Sequence, residues 1–151
     1  MRCRPAVVII ENSHVLLMKY QYGNEFMYNF PGGNAEKEEL FPETLIRECQ
    51  EELGIDIEVG KMLCIGQMAS NAFRKQALHI IFEGHIVSGI PALQAQETTA
   101  NELVWWPISQ LDQIRLYPNV GEVIQDYVIT GKTGLYLGEI KQEWIGEAGE
   151  K

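Results

Sequence analysis

Residues 33–55, GNAEKEELFPETLIRECQEELGI, constrain the fold more than any other stretch of the chain. The second half reads as a helix over residues 42–53. Pro42 suits its first turn, where a missing N–H is not needed, and Gly54 follows Leu53 as a stop. Residues three and four apart share a helix face, so Glu48 and Glu52 stack one turn apart and Glu51 lies on an adjoining row. Like charges at that spacing cost roughly 0.2–0.5 kcal/mol per pair in an isolated helix. A divalent cation among them would reverse the sign of that contribution. Oxygen-only ligands suit Mg²⁺, Mn²⁺ or Ca²⁺ rather than zinc, which prefers Cys and His. The plainer alternative is a solvated acidic face. Two neighbouring features favour the cation. Leu45, Cys49 and Leu53 recur every four residues as an apolar stripe on the opposite side, and Pro31-Gly32-Gly33 forms a turn whose backbone can approach a ligand closely.

These residues resemble the signature of the Nudix hydrolases, Gly-x5-Glu-x7-Arg-Glu-aliphatic-x-Glu-Glu-x-Gly-aliphatic. Here it reads Gly33, Glu39, Arg47-Glu48, Cys49, Gln50, Glu51-Glu52, Leu53, Gly54, Ile55, with Cys49 in the place of an aliphatic residue. On this resemblance the chain is identified as a MutT-like single-domain member, residues 1–151 forming one Nudix domain. The implied fold is the Nudix α/β/α sandwich around a mixed β-sheet, in the α+β class. The implied activity is hydrolysis of a diphosphate bond in a nucleoside diphosphate linked to another group, with Mg²⁺ or Mn²⁺. Nucleoside triphosphates come first as substrates and ADP-ribose or nucleotide sugars next. A noncatalytic nucleotide-sensing Nudix domain is the reading from another class, and a cation-binding structural helix is a third.

The resemblance also implies roles. Glu48, Glu51 and Glu52 hold the metal, with the Gly32 carbonyl as a further ligand, and Gly33, Glu39 and Gly54 shape the box. Arg47 faces away from the metal row if the helix is regular, so it pairs with Glu39 or orients a glutamate. Glu97, in the loop ahead of Trp105, is the expected extra ligand or general base, with Glu102 as runner-up. His79 and His85 read as structural. Tyr28 and Phe73 are candidates for stacking on a base and Asn119 for reading one. Two places depart from the family habit. Glu38 stands where many members have Gly before the first box glutamate, and Leu40 or Phe41 where a Ser or Thr helix cap is usual.

Composition restricts the partners. The net charge of −9 argues against nonspecific binding to nucleic acid or an anionic membrane, both of which need basic surface. A small phosphorylated substrate stays open, because a bound metal supplies positive charge locally. No apolar run reaches the roughly 18–20 residues of a membrane helix, and residues 5–10 are too short for a signal-peptide core, so the expected location is cytoplasmic. The 3 cysteines, Cys3, Cys49 and Cys64, have neither disulfide nor zinc spacing and read as buried thiols. A homodimer is compatible with the family.

In chain order, residues 6–10 and 15–20 are apolar runs joined as a hairpin. Residues 21–26 read as a loop and 27–30 lead into the glycine turn. After the helix, 57–68 reads as a bent strand, 71–76 as a loop and 78–87 as a long strand. Residues 89–101 read as a polar loop, 103–106 as a short strand, 107–111 as a helical turn and 120–129 as a helix stopped by Gly131. The segment from Thr133 suggests a small hairpin, with fraying from Gly146.

Overall fold

The computed structural model describes residues 1–72 and 74–142. Its first elements are β1 (Arg2–Glu11), β2 (His14–Tyr22) and β3 (Glu25–Asn29). β1 and β2 join through Asn12 and Ser13, whose φ angles of 51° and 63° give the turn a twist that matches the flanking strands. A second tight turn at Gly23, φ 64°, joins β2 to β3, so residues 21–26 are strand and turn rather than the expected loop. Side chains on both faces of these strands are apolar. In β1, Val7 and Ile9 face one way and Ala6 and Val8 the other; in β2, Leu16 and Met18 oppose Val15 and Leu17. All eight are buried, as strands covered on both sides require.

The covers are helical. α1 (Phe41–Leu53) lays Leu45, Cys49 and Leu53, each fully buried, against Val7, Ile9, Leu16 and Met18. Each buried leucine contributes roughly 1.5–3 kcal/mol. Its end is set by Gly54 in the left-handed conformation, φ 65°. On the other face, Ile108 and Leu111 of the short 3-10 helix Ile108–Gln113 and Ile124 of α2 (Gly121–Thr130) pack with Val8, Val15 and Leu17. Helices on both faces of one mixed, curled sheet give the expected α+β sandwich.

β4 (Asp56–Met68) and β5 (Ala77–Ser88) pair antiparallel, with irregular register between Val59 and Cys64 where the bend was expected. β5 runs parallel to β1. β6 (Glu102–Pro107) pairs with β2, and the two-residue β7 (Leu116–Tyr117) with β3. β8 (Leu135–Glu139) runs parallel to β4, Cys64 opposite Leu135, so the expected hairpin after Thr133 is a single edge strand. The fraying expected from Gly146 lies outside the described residues. Among the described residues, no helix is long and apolar enough to cross a membrane.

Past their hairpin β1 and β2 part, and residues 31–33 take the edge of β1 that β2 leaves, the opposite edge being paired with β5. Val7 N–H donates to the Pro31 carbonyl at 2.9 Å and Gly33 N–H to the Pro5 carbonyl at 3.2 Å. This seam brings the glycine turn to the start of the acidic helix.

Candidate active site

Close approach shapes both seam positions, by the backbone of β1 at Gly32 and by a side chain at Gly33. A Cβ on Gly32 would lie 2.3 Å from the Pro5 carbonyl oxygen, and one on Gly33 would lie 2.7 Å from the Glu48 carboxyl carbon. The missing Gly33 side chain is therefore the space that the Glu48 carboxylate fills. The seam bonds use the groups of Pro31 and Gly33, which leaves the Gly32 carbonyl outside them.

Between turn and helix, Glu38 adopts φ 67°. A left-handed conformation costs a residue with a Cβ roughly 1–2 kcal/mol, which accounts for glycine being usual here in the family. Glu38→Gly is expected to raise stability by about 1 kcal/mol, less the extra freedom glycine gives the unfolded chain; denaturant titration reads it as a higher midpoint at unchanged slope. The missing Ser or Thr cap is replaced from inside the helix, where Glu43 Oε1 accepts the Leu40 N–H at 2.9 Å.

Arg47 organises the carboxylates. Its Nε donates to Glu39 Oε2 at 2.8 Å, and its Nη1 donates to Glu48 Oε1 at 3.0 Å and Glu51 Oε2 at 3.2 Å. Glu36 lies 3.7 Å away. The expectation that Arg47 faces away from the row is thus corrected: its long stem carries the guanidinium back between Glu48 and Glu51. The expected pairing with Glu39 is present, and the same guanidinium also reaches Glu48 and Glu51. The Arg47 hydrogen bonds, with the backbone of Glu36 and the Thr44 hydroxyl, hold the Glu39 carboxyl at about 2. Thr44 Oγ1 donates to Glu39 Oε1 at 2.7 Å, fixing the carboxylate that fixes Arg47.

Glu52 sits on the other side of Glu48 and shares a hydrogen bond with it. Burial first, then that bond and the Glu48 and Glu51 charges, push its carboxyl up to about 8. The box therefore divides. Glu48 and Glu52 form a crowded pair, while Glu51 is turned to Arg47 and is half-exposed. Among the described residues, no three carboxylate, imidazole or thiol groups already converge on one point. The chemistry nonetheless fits a hard divalent cation: two carboxylates held together against their repulsion, a third beside them, and a backbone carbonyl across the turn. Cys49 lies beneath this face, its thiol pushed up to about 12 by burial and the neighbouring glutamates; it packs as an apolar side chain.

The other expected residues scatter. Glu97 is exposed in the loop 89–101, which is tied to the helix end by the Gln94 N–H donating to the Glu52 carbonyl at 2.9 Å; Glu97 N–H in turn donates to the Gln94 carbonyl. That places Glu97 on the loop bordering Glu52. Glu102 pairs loosely with Lys19 at 3.9 Å. Tyr28 lines a separate cleft with Phe26, Trp106 and Arg115, beneath Lys19. Asn119 uses its side-chain amide to donate to the Lys141 carbonyl at 3.0 Å, anchoring the chain after β8. Phe73 lies outside the described residues. His79 is 1% exposed, edge-on to Tyr117, and burial with the Arg4 and Arg2 charges pushes it down to about 4, so it is neutral. His85 is exposed. Sequence reading missed Arg2, Arg4 and Arg74, which line one cleft; Arg74 lies some 70 residues beyond the other two, too far for a local pattern to join them.

The family model for the NUDIX domain matches residues 1–127. The chain belongs to the NUDIX family. It is a pyrophosphohydrolase by that membership, in a family that generally uses divalent metals. No curated protein sequence matches it significantly. Among solved structures it is similar to a MutT protein from Methanosarcina mazei Go1, at 22% identity over 87% of this chain and 96% of the other, TM-score 0.67. It is also similar to a UDP-X diphosphatase, at 24% identity, 89% and 66% coverage and TM-score 0.69. An ADP-ribose pyrophosphatase from Streptococcus suis 89-1591 matches at 14% identity, 93% and 98% coverage and TM-score 0.65. At these identities the likeness to this NUDIX chain is one of fold.

Proposed function

We propose that this NUDIX domain hydrolyses, with Mg²⁺ or Mn²⁺, a diphosphate bond in a nucleoside diphosphate linked to another group, nucleoside triphosphates first and ADP-ribose-like compounds next. The observation that carries this reading is the Glu48–Glu52 pair, pressed together beside a turn that only glycine permits. Glu48 and Glu52, with Glu51 and the Gly32 carbonyl, hold the ion. When bound, such an ion offsets phosphate charge and lowers the pKa of a coordinated water. Arg47 keeps Glu48 aimed at the turn, and Glu39 keeps Arg47 in place. Glu97, on the bordering loop, takes the proton of the attacking water. The water oxygen bonds to one phosphorus as the bridging P–O bond breaks, and the leaving phosphate carries away the bond's electron pair.

The test is kcat/KM across nucleoside triphosphates, ADP-ribose, nucleotide sugars and dinucleoside polyphosphates with Mg²⁺. Turnover best on a triphosphate bears the reading out; a best substrate among the sugars moves the preference to that class. Complete inertness with ligand-raised melting temperatures would leave a nucleotide sensor in its place.

A further inference from the structure

The loop 89–101 is fixed at both ends. Near its start, Ala92 N–H donates to the Leu53 carbonyl at 3.1 Å and Gln94 N–H to the Glu52 carbonyl at 2.9 Å. They take up carbonyls that the last turn of a helix leaves without an intrahelical partner. At its end, Asn101 N–H donates to the Lys19 carbonyl at 2.8 Å, and Gln21 N–H donates to Asn101 Oδ1 at 2.8 Å. These two bonds flank Tyr20 on β2. Between the anchors the chain bonds to itself: the Glu97 and Thr98 N–H groups both donate to the Gln94 carbonyl, and Ala100 N–H donates to Thr98 Oγ1 at 3.2 Å. Such bonds shape the turn without attaching it to the rest of the protein. Among the described residues, one hydrogen bond attaches residues 95–100, the 3.4 Å contact between Thr98 Oγ1 and the Tyr20 hydroxyl, in which either group can donate.

Tyr20 is a firm mount for that turn. Its ring is half-buried against the apolar cluster under α1, and only its hydroxyl reaches the loop. Burial raises the phenol above the ordinary tyrosine value, against the Thr98 hydrogen bond, and the Glu52 charge adds to the rise. The hydroxyl therefore keeps its proton near neutral pH, and it lies within electrostatic reach of the Glu48–Glu52 pair. Glu97 is the residue before Thr98. We propose that Tyr20 is a positioning residue for hydrolysis: through Thr98 it fixes the turn that carries Glu97 at the border of Glu52, and so aims the general base at the attacking water. Held in one orientation, a base spends its time where proton transfer is possible; on an untethered turn it does not. This role rests on the diphosphate-hydrolase reading and on Glu97 as the base in it.

Kinetics with Mg²⁺ on the best substrate and amide hydrogen exchange are run on wild type, Tyr20→Phe, Thr98→Val, Thr98→Ser, Glu97→Gln and the Tyr20→Phe/Glu97→Gln double variant. Tyr20→Phe keeps the ring and leaves Thr98 its Ala100 partner, so the melting transition should stay in place; Thr98→Val cuts the same bond from the other side should the first variant not fold. Tyr20→Phe and Thr98→Val should each lower kcat about tenfold, the factor that one ordinary hydrogen bond corresponds to, with KM unchanged. Thr98→Ser, which keeps the hydroxyl, should retain kcat. With Glu97 already replaced, Tyr20→Phe should lower kcat no further, because a residue that acts through Glu97 has no effect without it. Exchange at the Glu97, Thr98 and Ala100 amides should quicken in Tyr20→Phe while β2 and β6 hold their protection. Wild-type kcat in Tyr20→Phe, or the full loss repeated on Glu97→Gln, would overturn the positioning role and leave the hydrolase reading standing. A wild type inert on every substrate would sink the hydrolase reading and the catalytic role with it, and unchanged exchange at Glu97 would overturn the tether whatever the turnover.

Discussion

Glu52→Gln is expected to lower kcat by at least about 10²–10³-fold, the scale seen when one preorganised electrostatic contact is removed from a transition state. In metal-free protein the same change should raise stability. The Glu52 carboxyl stands at about 8 in the folded chain against an ordinary 4.5. With its folded value raised, the carboxyl does not strain the fold below pH about 4.5, and stability is lost as the pH rises towards 8. Glutamine has the same shape and no charge to desolvate. Allowing for the solvent that still reaches the group, the gain near pH 7.5 is about 1–2 kcal/mol, or a few degrees in melting temperature at this chain length. A protein stabilised and inactivated by one substitution has a site strained for function. Unchanged kcat, or a melting temperature that falls in EDTA, would deny Glu52 that place.

Gly32→Ala should cost about 3 kcal/mol or more, towards or beyond the upper end of ordinary overpacking, and lower the melting temperature by roughly 6–12 °C. The added Cβ runs into the backbone of β1, the Pro5 carbonyl oxygen at 2.3 Å and the Ala6 Cα at 2.8 Å, so no flexible side chain can move aside. Relief requires β1 to leave the turn, breaking the Val7–Pro31 and Gly33–Pro5 bonds. Gly23→Ala provides the comparison. It too sits in a tight turn, at φ 64°, but nothing lies within 4 Å of its added Cβ, so it bears only the backbone penalty of roughly 1–2 kcal/mol. Equal losses in the two variants would show that conformational freedom, rather than close approach, fixes glycine at the seam.

Much of this was legible in the sequence wherever cause and effect are local. The four-residue recurrence of Leu45, Cys49 and Leu53 predicts the buried face of α1, and Gly54 its end. The Pro31-Gly32-Gly33 turn announces a close approach without saying that β1 is the neighbour. Residues 21–26 conceal their hairpin because polar and aromatic side chains mask the strand pattern around Gly23. β8 pairs with β4 across some 70 residues of chain, a distance at which no turn chemistry signals a partner. Arg47 misleads for a different reason. Helical periodicity places its Cα away from the Glu48–Glu52 row, but its side chain is long enough to return to Glu48 and Glu51. The arginine cleft is illegible because it exists only once β1, β3 and the loop holding Arg74 are brought together.

The central claim, that the Glu48–Glu52 pair works through a divalent cation, is tested most directly by product release from the best substrate after exhaustive chelation, followed by stepwise return of Mg²⁺. Turnover should vanish in EDTA and recover saturably with the metal in wild type, while Glu52→Gln stays near background throughout. Undiminished turnover in EDTA, or Mg²⁺-dependent turnover retained in Glu52→Gln, would contradict it.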